Sequence, residues 1–195
     1  AAEHRLYGRV DQMIFNSDWA AESAISDYGL DRDRAHVISR GANIPGGRTE
    51  ADINALIDAR PKDRCILHFV GVDWERKGGD IAVEAARLLN SRGIPTELRV
   101  VGVEPKIKGP LPGFIKPLGW VAKSTPDGLG RFSQLMSEAH FLILPTRADA
   151  YGFVFLEASA FGVPSLAPRT GGVPSAMLDG VNGFLFDLDD NGAGY

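Results

Sequence analysis

From residue 65 onward the chain repeats one pattern: a short apolar run, a turn rich in glycine or proline, then a longer helical stretch. Cys65-Ile-Leu-His-Phe-Val70 is continuous in its apolar character, as strands buried on both faces of a parallel sheet are. Further strands are expected at 98–101, 114–118, 141–144, 164–167 and 183–186, with helices at 81–89, 130–139, 153–161 and 174–178 between them. Strand, crossover helix, strand, repeated, predicts an α/β fold: a doubly wound, Rossmann-like parallel sheet that receives ligands at the carboxyl ends of its strands.

The part before residue 65 reads differently. Met13-Ile-Phe15 suits a short strand, Asn16 or Ser17 can cap a helix over 19–28, and Gly29 supplies its left-handed stop. A second strand is expected at 36–39, a turn-rich linker at 41–47 and a polar helix at 50–59. The chain is expected to divide into a leading part, residues 1–45, a linker helix, 46–64, and a ligand-binding domain, 65–195, cut short at its C-terminus. The chain reads as a fragment of a longer protein.

Charge and cysteine content narrow the function. Lys plus Arg is 21 against 25 Asp plus Glu, a net charge of −4 that argues against a nucleic-acid partner. The single cysteine, Cys65, excludes a disulfide framework and a multi-cysteine zinc site, and fits the cytoplasm. At the start of a buried strand it reads as packing rather than a nucleophile, and the four histidines add little.

The stretch Pro145-Thr-Arg-Ala-Asp-Ala-Tyr-Gly-Phe-Val-Phe-Leu-Glu-Ala158 is the most informative. Its helix is apolar nearly all round, so a carboxylate at Glu157 costs several kcal/mol unless something pairs with it. A bend at Tyr151-Gly152 could bring Asp149 over the helix start, where the amides of Gly152, Phe153 and Val154 are free. Carboxylates accept from sugar hydroxyls and a helix start attracts phosphate, so the segment suits a phosphorylated sugar. The plainer alternative has Glu157 paired with Arg147 or Arg169 and Asp149 merely capping the helix. A second candidate, Gly71-Val-Asp-Trp-Glu-Arg-Lys-Gly-Gly79, places Arg76 and Lys77 beside a helix start, although such a pair is also a common solvated surface feature. It is neither a Walker A loop nor the Gly-x-Gly-x-x-Gly fingerprint, which disfavours a nicotinamide dehydrogenase. Thr170-Gly-Gly172 repeats the geometry of an anion cradle. Residues 105–131 hold five basic residues, Lys123 among them, against Asp127 alone. That excess could steer an anionic donor or face a membrane surface, but it reads as a solvated loop, and nothing else supports membrane association. Asp187-Leu-Asp189 has the spacing of a manganese pair and reads as a solvated turn.

Taken together, Phe69-Val-Gly-Val, Arg76-Lys-Gly-Gly, the 144–158 stretch, Gly162-Val-Pro-Ser, Thr170-Gly-Gly-Val and Asp179-Gly-Val-Asn-Gly-Phe-Leu resemble the group 1 retaining glycosyltransferases of the GT-B fold. Two acidic residues separated by seven, at the entrance of an Ala-rich helix, are that family's mark. The resemblance implies that residues 1–45 are a remnant of the N-terminal domain, its last strand, helix and interdomain linker, and that a C-terminal domain binds a nucleotide-diphosphate sugar as donor substrate and needs no metal or other cofactor. It implies that Glu157 holds the ribose, Asp149 the transferred sugar, Lys77 the diphosphate, and the amides of Gly152, Phe153 and Val154 the distal phosphate. Gly71 and Arg76 would border the donor, and the backbone near Gly119 and Trp120 the base. A hexosyl unit would pass, with retention, to a sugar, lipid or other hydroxyl acceptor read mainly by the missing N-terminal domain, so the fragment alone is expected to be inactive. Two departures stand out: Asp149 replaces the usual Glu, and Val72 occupies a position usually held by Arg. A GT-B sugar-nucleotide epimerase and a non-catalytic sugar-nucleotide sensor are the alternatives.

Overall fold

The structure, a computed structural model, describes residues 2–195, with side chains from residue 5. A helix not anticipated from the sequence, α1 (Ala2–Tyr7), precedes β1 (Met13–Phe15), α2 (Asp18–Tyr28) and β2 (Ala35–Val37). Strands β1 and β2 pair in parallel through α2, which starts and stops where its caps require: Ser17 Oγ accepts the Ala20 amide at 3.3 Å, and Gly29 closes it at φ 73°. Helix α3 (Glu50–Asp58) begins on a reciprocal capping box between Thr49 and Asp52.

The main sheet follows. Its strands are β3 (Cys65–Val70), β4 (Thr96–Val101), β5 (Ile115–Pro117), β6 (Phe141–Ile143), β7 (Ser165–Pro168) and β8 (Gly183–Phe186). All six run parallel in the order β5-β4-β3-β6-β7-β8. Helices α4 (Gly79–Ser91), α5 (Pro126–Glu138), α6 (Phe153–Ser159) and α7 (Val173–Ala176) connect them. Helix α5 begins at Pro126 rather than Gly130, because Thr125 caps it by accepting the Gly128 amide at 3.1 Å and proline is tolerated at the first position. The central strands are buried on both faces, which is why their sequences run apolar without alternation.

One polar residue interrupts that core. His68 on β3 is fully buried, and neither ring nitrogen has a hydrogen-bond partner. Burial first, then Arg99 and Arg131, holds its pKa down from 6.5 to about 3. The unfolded chain therefore takes up a proton that the folded chain refuses. This contribution to stability is complete above pH 6.5 and is lost as pH falls toward 3. Replacing His68 by Leu removes both orphaned nitrogens at similar volume and should raise stability at pH 7 by about 1–3 kcal/mol. Urea unfolding of H68L across the acid range should also show a flatter pH dependence than the parent chain. An unchanged acid slope would contradict this account.

Candidate functional site

The chain reverses its direction of travel across the sheet between β3 and β6. In a sheet of this kind the crevice beyond the carboxyl ends of two such strands is where a ligand fits. The loop after β3 carries Lys77 and the loop after β6 carries Asp149, and their side chains meet in an ion pair only 12% and 13% exposed. The two loops are stitched together. Trp74 is buried against the Phe69 ring at 5.3 Å, which anchors the first loop. The Asp73 carboxylate accepts the Arg76 amide at 3.1 Å, and the Asp73 carbonyl accepts the Lys77 amide at 3.0 Å. Arg76 Nη1 then donates to the Ala148 carbonyl at 2.9 Å, and Thr146 Oγ1 donates to the Arg76 carbonyl at 3.2 Å.

Gly152 makes the bend that the sequence required. It stands at φ 86°, and a Cβ there would lie 2.4 Å from the Phe155 ring, so only glycine fits. Helix α6 accordingly starts without a side-chain cap, and the amides of Gly152, Phe153 and Val154 find no acceptor among the described residues. These three residues line a cavity of about 560 Å³ with Gly71, Arg76, Lys77 and Asp149. Its opposite wall is Ile14, Phe15, Asn16, Ser17 and Ala20 from the N-terminal part. Ser17, which the sequence reading credited only with capping α2, also donates to the Ala150 carbonyl at 2.8 Å. The Tyr151 hydroxyl ties the same loop to Arg40, accepting its amide and donating to its carbonyl, both at 2.8 Å.

Glu157 on α6 is 1% exposed and pairs with Lys123. The partners considered from the sequence are engaged elsewhere: Arg147 holds Asp80 at 2.7 Å, and Arg169 holds Asp179. Nor does Asp149 cap α6; its partners are Lys77 and the Tyr151 amide, at 3.3 Å. Lys123 belongs to the stretch expected to be a solvated loop; its five basic residues are exposed, but the Lys123 ammonium turns inward to Glu157 and stands 4.9 Å from the Phe132 ring. Burial pushes the Glu157 carboxyl above the ordinary carboxylate range, and Lys123 offsets only part of that rise.

A second cavity, about 150 Å³, shares Val70, Gly71 and Val72 with the first and is walled by Trp120, Lys123 and Phe132. Among the expected site residues, Gly119 and Glu157 line neither cavity; the Gly119 carbonyl accepts the Gly102 amide at 2.9 Å. The Thr170-Gly-Gly172 turn is not an open anion cradle. Its Gly172 amide donates to the Asp149 carbonyl at 2.8 Å, so the turn supports the Asp149 loop from behind. Asp187 and Asp189 lie in an exposed turn, and among the described residues no three His, Cys, Asp or Glu side chains are placed to hold a metal ion. Half-buried Cys65 has its thiol pushed up by desolvation, as a packing residue does. No helix among the described residues is long and apolar enough to cross a membrane.

A doubly wound parallel sheet with this crevice, preceded by a strand-helix-strand unit, is the C-terminal half of a GT-B glycosyltransferase fold. The family model described as glycosyl transferases group 1 matches residues 64–193, and the chain belongs to that family. D-inositol 3-phosphate glycosyltransferase of Thermobifida fusca (strain YX) is 30% identical over 207 residues, covering 96% of this chain and 46% of the relative. The protein of the same name from Streptomyces scabiei (strain 87.22) is 32% identical over 208 residues, covering 98% and 46%. The chain thus spans about half the length of the curated relatives it matches. Among solved structures, WaaG, a glycosyltransferase involved in lipopolysaccharide biosynthesis, superposes with a TM-score of 0.69 at 20% identity, over 93% of this chain and 50% of its own. Anabaena Alr3699/HepE, solved in complex with UDP and glucose, gives 0.65 at 21% identity, over 91% and 50%.

The tightest contact at the site gives a direct test. A Cβ on Gly172 would lie 1.8 Å from the Ala150 carbonyl oxygen and 2.8 Å from Ser17 Oγ. Gly172→Ala should therefore displace the Asp149 loop and cost about 2–4 kcal/mol in thermal or urea unfolding. Gly113→Ala, with nothing within 4 Å of the new methyl, should change stability little. Equal effects of the two substitutions would contradict the packing described.

Proposed function

We propose that this chain is the donor-binding half of a retaining glycosyltransferase that takes a hexosyl unit from a nucleoside diphosphate sugar. On this reading residues 1–45 belong to the N-terminal domain, 46–64 link it to the donor domain, and the rest of the protein presents a sugar, lipid or other hydroxyl acceptor. The carrying observation is the convergence of Lys77, Arg76, Asp149 and the uncapped start of α6 on one cavity at the sheet's switch point. Breaking a sugar–phosphate bond leaves negative charge on the departing diphosphate. Two fixed cations and three free amides are suited to hold it without a metal. In the structure Lys77 is neutralised by Asp149. A diphosphate would compete for the lysine and release Asp149 to accept from sugar hydroxyls. Glu157 would hold the ribose, and the smaller cavity beside Gly119 and Trp120 would take the base. The UDP and glucose bound to Alr3699/HepE, and the glycosyltransferase names of the relatives, support the donor class.

Calorimetry with a panel of nucleoside diphosphates, with chelator and with manganese, tests the reading. At least one should bind in chelator, and Lys77→Met should weaken it about tenfold or more, the value of a charge-assisted contact. Binding only with manganese, or no binding at all, would contradict the proposal. Residues 1–195 alone should transfer no sugar, and measurable transfer would show that the acceptor needs nothing further.

A further inference from the structure

Glu157 occupies an unusual position for a group proposed to meet a ligand. Its side chain is 2% exposed and borders neither cavity, whereas its partner Lys123 is 36% exposed and lines the smaller one. The ammonium therefore stands between the carboxylate and the space a nucleoside would fill. Other charges do not substitute for it. Strand β7 and helix α7, packed against α6, carry no charged residue. On the loop before α6, Asp149 and Lys77 neutralise one another. His68 on β3 is uncharged at neutral pH, and among the described residues Lys123 is the charged group that pairs with Glu157. A carboxyl so enclosed would take up a proton if its counter-ion were removed.

We infer that Lys123 is a positioning residue for the donor site: its ammonium keeps the buried Glu157 an ionised hydroxyl acceptor in the absence of ligand. This rests on the donor-site reading above. It assigns to a residue outside the paired-acid segment the task of making that segment usable at neutral pH. The Phe132 ring, 4.9 Å from the ammonium, holds the lysine from the other side. A neutral residue at 123 should leave Glu157 protonated near neutrality, when it would offer a hydroxyl partner a weaker acceptor.

Two measurements on the 195-residue chain separate this inference from the reading it rests on. The first is a 13C NMR titration of the glutamate carboxyls, with Glu157→Gln used to assign the signal. In Lys123→Met the Glu157 midpoint should rise by at least about one pH unit, while Lys123→Arg should titrate like the parent chain. The second is the affinity for the nucleoside diphosphate that binds the parent chain, followed from about pH 8 to 6. It should fall about tenfold over that range in Lys123→Met and stay nearly flat in the parent and in Lys123→Arg. If Lys123→Met does not fold, Lys123→Gln, which retains a hydrogen-bond donor without the charge, takes its place. An unmoved Glu157 midpoint overturns the inference, and so does an affinity that rises at every pH, which would make Lys123 a plug. If the parent chain binds no nucleoside diphosphate, the donor-site reading fails, and the NMR titration still decides whether Lys123 sets the charge of Glu157.

Discussion

A carboxylate buried on α6, that of Glu157, sets the terms for the whole site. Left alone there it would be protonated or would destabilise the helix, since burial of an unpaired charge is among the costliest events in folding. The chain meets this demand from a distance, with a lysine on the loop that follows β5. That loop must return over the sheet to deliver Lys123, and in doing so it forms the wall of the smaller cavity. One electrostatic requirement thus fixes the path of a segment that has little regular structure of its own.

The larger cavity follows a parallel logic. Parallel strands end together, and where the winding reverses between β3 and β6 their two loops face each other across a gap. Here the gap is closed by Arg76 reaching the Ala148 carbonyl and Thr146 reaching back to the Arg76 carbonyl. Gly172 and Ser17 hold the same loop through its Asp149 and Ala150 carbonyls, Ser17 from the facing wall of the cavity. The Asp149 carboxylate is held by Lys77 and the Tyr151 amide on a loop that is itself tied down, and preorganisation of this kind suits the role proposed for it toward a transferred sugar. The N-terminal strand-helix-strand unit is part of this support, so the proposed donor site does not belong to the main sheet alone.

Much of this was legible in the sequence. The apolar run at 65–70, the Gly29 and Ser17 caps and the glycine bend at 152 are local signals, and each stands where its chemistry placed it. The convergence of Lys77, Asp149 and the α6 start was also legible, because strand ends in a doubly wound sheet meet in a known place. Pairings between distant residues were not. Lys123 and Glu157 are 34 positions apart, and Ser17 and Ala150 are 133 apart, so no spacing rule connects them. The basic stretch around Lys123 is the solvated loop its composition suggested, but composition records charge and not which of its lysines turns inward to a buried carboxylate. The glycines at 171–172 looked like an anion cradle for the same reason: the sequence shows that close approach is allowed but not what approaches.

The most direct test is a crystal structure of the chain with a bound nucleoside diphosphate. The diphosphate should lie between Lys77 and the amides of residues 152–154, with the ribose hydroxyls on the Glu157 carboxylate and the base beside Trp120. A nucleotide seated instead in the cavity of about 570 Å³ beside Asp80, Arg147 and Tyr195, with the Lys123–Glu157 pair undisturbed, would contradict it.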